Sequence, residues 1–164
     1  MRAASANMTA TAIFVDVQNV YYTTRDAYAR QFNYRRLWEA VAEGGTIVAA
    51  NAYATEPQDA NQERFQKALR HIGFKVRTKP YIQRSDGSAK GDWDVGITID
   101  VLEAAREIER IVLVSGDGDF DLLLHKIIDD YRVIAEVYGV PRLTAKSLVD
   151  AATSFRSIDE SMLL

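Results

Sequence analysis

Residues 110–127, RIVLVSGDGDFDLLLHKI, join an apolar run to a helical pattern through a short acidic turn. Ile111 to Val114 is uninterrupted aliphatic sequence of strand length, the signature of a strand buried on both faces. Ser115, Gly116, Asp117 and Gly118 are turn residues. From Asp119 onward apolar residues recur at helical spacing, and Asp117, Asp119 and Asp121 fall at alternating positions between Gly118 and Phe120. Carboxylates crowded in this way repel one another, so the turn needs either water around it or a cation within it.

The same alternation repeats on both sides of that turn. Apolar, β-prone runs lie at 11–17, 46–53, 74–80, 110–116 and 132–139, with helical patterns from Tyr34, Gln58, Asp92, Asp119 and Leu143. Gly44, Gly73 and Gly139 stand where elements should stop. Five strands alternating with helices predict a three-layer α/β/α sandwich around a mainly parallel sheet. The runs at 11–17 and 110–116 should be central. The run at 74–80 alternates Lys75, Arg77 and Lys79 with Val76 and Thr78 and ends in Pro80, which suits an edge strand. The strand order 3-2-1-4-5 satisfies these constraints and the right-handed crossover rule.

The chain has 164 residues, 48% hydrophobic, with no cysteine and a formal charge of −3. That is enough chain for one domain with a substantial core. We expect residues 1–10 to form a flexible tail and 11–164 a single domain. The lack of cysteine removes disulfide scaffolds, thiol nucleophiles and sulfur-ligated metal sites, and fits a reducing cytoplasm. No segment approaches a signal peptide or the roughly 20 apolar residues of a membrane span. The negative charge argues against coating nucleic acid through bulk electrostatics, so any such contact must be local.

In an open α/β sheet, ligands bind beyond the carboxyl ends of the strands where the winding reverses. In the predicted order that point lies between the first and fourth strands, about 4.8 Å apart. The first ends in Asp16, within FVDVQN, and the fourth leads to Asp117 and Asp119. Convergence of these three acids is the central expectation; Asp121 suits a helix cap. A calcium loop is excluded, because the positions requiring Gly and Glu hold Leu122 and Ile128. In AKGDWDVGITID, residues 89–100, Asp94 falls in the first turn of a helix and either points into the crevice or stays a surface acid, while Asp92 suits a cap and Asp100 needs a partner. An all-oxygen donor set selects Mg²⁺ or Mn²⁺ over zinc. Ions of this kind polarise a phosphoryl oxygen and lower the pKa of water, so phosphodiester hydrolysis is the natural chemistry.

Several groups surround the acids. Asn19 either contacts a phosphate, orients Asp16 or caps the first helix. Ser115 belongs to the turn, whose glycines either form it or admit a ligand to the backbone. Lys75, Arg77, Lys79, Arg84 and Lys90 form a cationic strip with Tyr81, suited to a single strand. Edge protection accounts equally for the first three, but not for Arg84 and Lys90. Tyr21 and Tyr22 either line the rim or pack, and His71 and His125 read as structural.

FVDVQN (14–19), KGDWDVGITID (90–100) and SGDGDF (115–120), in that order, resemble the NYN domain family, particularly its LabA-like branch among the PIN-like nucleases. The resemblance implies a PIN-like sandwich and metal-dependent cleavage of RNA. It also implies an acidic site of Asp16, Asp94, Asp117 and Asp119 with Asn19 beside it. Where the family reads K-G-x-D, this chain has KGDWD. The role passes to Asp94 on its spacing to Asp100, with Asp92 the other possibility. The leading expectation is a Mg²⁺- or Mn²⁺-dependent ribonuclease acting on single-stranded RNA. The alternative is a non-catalytic RNA- or nucleotide-binding regulatory module of LabA type. A phosphoacceptor domain using Asp16 is a third, disfavoured because DVQNV replaces the DxDxT that haloacid-dehalogenase chemistry would want.

Overall fold

In the computed structural model, described for residues 9–80, 82–83, 89–90 and 92–164, six parallel strands form one sheet. They are β1 (Ala10–Asp16), β2 (Thr46–Thr55), β3 (Lys75–Lys79), β6 (Arg110–Val114), β7 (Ile134–Gly139) and β8 (Ser154–Ser157). Two short strands, β4 (Ile82–Gln83) and β5 (Ala89–Lys90), pair separately as a hairpin. The sheet order is β3-β2-β1-β6-β7-β8. The expected sequence of five strands is therefore correct as far as it goes, and the count is six. The addition, β8, is SFRS, with one apolar residue and no buried position. Backbone pairing to β7 makes it a strand, together with Thr153, whose hydroxyl accepts from the Ala135 amide at 3.0 Å.

Among the described residues six α-helices cover the two faces: α1 (Val17–Tyr28), α2 (Tyr34–Glu43), α3 (Ala60–Ile72), α4 (Asp94–Ala104), α5 (Asp121–Tyr131) and α6 (Lys146–Ala151). The central strands alternate between two cores, as the pleat requires. Ile13, Val15, Val112 and Val114 point to one face and pack with Val20, Leu37, Val41 and Leu69 of α1 to α3. Ala12, Phe14, Ile111 and Leu113 point to the other and pack with Ile97, Val101, Leu124, Ile127 and Leu148 of α4 to α6. No helix among the described residues is long and apolar enough to cross a membrane.

The register of β1 on β6 places Val15 beside Val114, so Asp16 and Ser115 leave the sheet as neighbours. The edge position of β3 is also as expected. Residues 1–8, most of the predicted tail, lie outside the described residues, as do Tyr81, Arg84 and the side chain of Lys90.

Candidate metal centre

Past Val114 the chain holds the sheet for one more bond, from the Ser115 amide to the Tyr138 carbonyl at 3.1 Å, and then turns. Asp117 accepts from the Asp119 amide at 2.9 Å and so caps the 3₁₀ turn Gly118–Phe120, which runs directly into α5. Gly116 and Gly118 are needed for packing. A Cβ on Gly116 would lie 2.5 Å from the Leu143 carbonyl oxygen, and one on Gly118 2.8 Å from the Ala145 Cβ. The loop before α6 thus fills the space beside the glycines, and they do not open the backbone there to a ligand.

Asp94 opens α4, and its amide donates to the Asp92 carboxylate at 2.7 Å. Asp92 stands one residue ahead of the N-cap Trp93, so it is not the helix cap the sequence suggested, and Asp94 is the one whose carboxylate groups with those of the turn. Oxygens of Asp94, Asp117 and Asp119 all lie within 4.8 Å of one another, the first two acids half-buried and the third exposed. Burial pushes the Asp94 carboxyl up to about 8, helped by hydrogen bonds shared with the Asp117 and Asp92 carboxyls and by their negative charge. Three oxygen donors this close, with a proton on Asp94 relieving the repulsion from its neighbours, suit replacement of that proton by a hard divalent cation.

Asp16 is not one of that group of three, although the sequence reading made it a ligand. It caps α1, accepting from the Asn19 amide at 3.4 Å, and takes the Ser115 hydroxyl at 3.2 Å. The Ser115 oxygen in turn accepts from the Asp117 amide at 3.1 Å. Asp16 thus sits one side chain behind the cluster and braces its turn. Burial lifts its carboxyl to about 6 against those two hydrogen bonds, with the Asp117 and Asp92 charges adding to the rise. Ser115, expected at the substrate, is 1% exposed and engaged on both sides, so it acts within the brace. Asn19 has a further task that the sequence did not suggest: its side-chain carbonyl accepts from the Gly116 amide at 2.8 Å, tying α1 to the turn. Asp121 lies outside the cluster, as expected, but it is not the predicted cap: it stands first in α5 after the N-cap Phe120, and its carboxylate accepts from the adjoining Leu122 amide at 2.6 Å.

Two cations of the expected strip are committed within the fold. Arg77 pairs with Asp100, which also accepts from the Tyr53 hydroxyl at 2.8 Å. Lys79 donates to the Asp92 carbonyl at 2.9 Å and lies 4.5 Å from the Trp93 ring centroid. Asp100 had signalled its need of a partner. Its partners sit on strands distant in sequence, and no local pattern names them.

The NYN domain family profile matches residues 10–159. The chain is 34% identical over 120 residues to the low amplitude and bright protein LabA of Synechococcus elongatus, a match covering 67% of this chain and 63% of that protein. It is 51% identical to a Vibrio parahaemolyticus protein of unknown function whose crystal structure superposes with a TM-score of 0.91, covering 96% of this chain and 98% of that one.

Proposed function

This chain belongs to the NYN domain family, within the PIN-like nucleases, and from that premise we propose that it is a metal-dependent ribonuclease. The observation that carries the reading is the meeting of Asp94, Asp117 and Asp119 from two separate segments within 4.8 Å. Asp94, Asp117 and Asp119 would hold Mg²⁺ or Mn²⁺, with Asp16 completing the acidic site from behind. When bound, such an ion polarises a phosphoryl oxygen and lowers the pKa of water at the site.

The side chains supply the rest. Capping fixes Asp117, because its free motion is limited by the bond to the Asp119 amide. The Asp16–Ser115–Asp117 chain and the Asn19–Gly116 bond hold the turn at the tip of β6, so the carboxylates stay oriented as a substrate phosphate arrives. Asp119, the exposed member, is the acid most open to an arriving substrate. Preorganised oxygens of this kind need no rearrangement at the moment of reaction.

The test is degradation of RNA by the purified chain with Mn²⁺. We expect Asp117→Asn to reduce it by at least about a hundredfold while preserving the fold, since Asn caps as well as Asp. Equal activity in the variant would reject the assignment. RNA binding without cleavage at any Mn²⁺ concentration would favour a regulatory module.

A further inference from the structure

The helix capped by Asp16 carries two tyrosines that the acid cluster does not use. Among the described residues Tyr34, Tyr53 and Tyr138 are buried and Tyr28 and Tyr131 partly so, whereas Tyr21 and Tyr22 are each 49% exposed. Adjacent side chains on a helix diverge by about 100°. These two nevertheless meet edge to face, with centroids 5.4 Å apart and planes at 68°. The Arg25 guanidinium lies 5.2 Å and 5.4 Å from the two centroids and donates to the Tyr21 hydroxyl at 3.4 Å. The three residues therefore form one cationic, aromatic surface.

Its position relates it to the acids. Tyr22 is three residues beyond Asn19, on the same side of α1, and helical side chains lean toward the N-terminus of their helix. Tyr22 is thus a helical neighbour of Asn19, whose side chain holds the Gly116 amide immediately before Asp117. The tyrosine surface thus begins on the same helix, within two turns of the Asp16 and Asn19 side chains that hold the acid turn.

We propose that Tyr21, Tyr22 and Arg25 form a subsite that stacks an unpaired base of single-stranded RNA flanking the phosphate at the acid cluster. The proposal rests on the ribonuclease reading. A chain of net −3 with carboxylates at its centre cannot hold RNA by charge alone, and stacking on aromatic faces grips any base without regard to sequence. Arg25 adds a cation for the adjoining backbone and reinforces the stack. Bases in a duplex already have both faces covered, which makes the subsite selective for single strands.

The test measures fluorescence anisotropy of a short labelled single-stranded RNA on chains carrying Asp117→Asn to prevent cleavage, with Mn²⁺ present. Adding Tyr21→Ala and Tyr22→Ala together should weaken binding about ten- to a hundredfold. Tyr21→Phe with Tyr22→Phe keeps the rings and should bind within about twofold of the parent. A duplex of the same sequence should bind more weakly and be indifferent to the alanine changes. Equal binding by the alanine variant and its parent, or no binding by the parent, overturns the subsite. RNA degradation by the unsubstituted chain separates the two failures: if it persists the nuclease reading stands, and if it is absent both fall.

Discussion

Asp94 is the residue on which the candidate site turns. Its carboxyl holds a proton up to about 8 in the folded chain, against 3.8 for an ordinary aspartate. The metal-free fold therefore gains stability from that proton at pH below about 4 and loses it as pH rises through about 8; Asp16, lifted to about 6, acts in the same direction. Asp94→Asn removes the effect at its source. In EDTA, the melting temperature of the variant relative to the unsubstituted chain should rise by about a few degrees between pH 5 and pH 8.5, read by thermal unfolding at both values. No change in that difference would mean that Asp94 is not held against its neighbours. The acids themselves were legible in the sequence, because crowded carboxylates at strand ends have few ordinary uses. The directions taken by Ser115 and Asn19 were not, since their partners, Asp16 and Gly116, lie about a hundred residues away in the chain.

Helix α4 delivers Asp94, and the edge strand β3 holds α4 in place. Arg77 lies 5.8 Å from the Trp93 centroid and 5.9 Å from that of Tyr53, while pairing with Asp100. Trp93 itself donates from Nε1 to the Ala54 carbonyl at 2.8 Å. The N-terminus of α4 is thereby fastened to β2 and β3 through one indole, one guanidinium and one ammonium group. Arg77→Ala should lower the melting temperature by about 3–6 °C and weaken Mn²⁺ binding severalfold, with Arg77→Lys recovering only part of either. Calorimetric titration with Mn²⁺ checks the second effect; unchanged affinity would show that Asp94 reaches its place without this anchor. The alternating charges of β3 announced an edge strand, and correctly. The sequence could not announce that Arg77 and Lys79 also clamp a helix, nor that SFRS at β8 pairs at all, because both depend on backbone and rings from other parts of the chain.

The described residues form a sheet between two apolar cores, and the acid turn lies beyond the carboxyl ends of β1 and β6, from which the chain leaves paired parallel strands for helices on opposite faces. An ion there would bind the folded chain and not the unfolded one. Mn²⁺ at about a hundred times its dissociation constant should raise the melting temperature by about 5–10 °C, and Asp94→Asn or Asp117→Asn should abolish most of that gain. Equal shifts in all three chains would place the ion elsewhere. The fold class was readable because every central strand is locally consistent with burial on two faces. The pairing of β1 with β6 has a temporal consequence as well: it joins segments some hundred positions apart. A chain emerging from the ribosome displays Asp16 early, with the nearby Asn19 amide as a partner, but its Ser115 partner follows only 99 residues later. Nascent or prematurely terminated products that stop short of β6 consequently lack the assembled acids, and whatever chemistry those acids support waits on that strand.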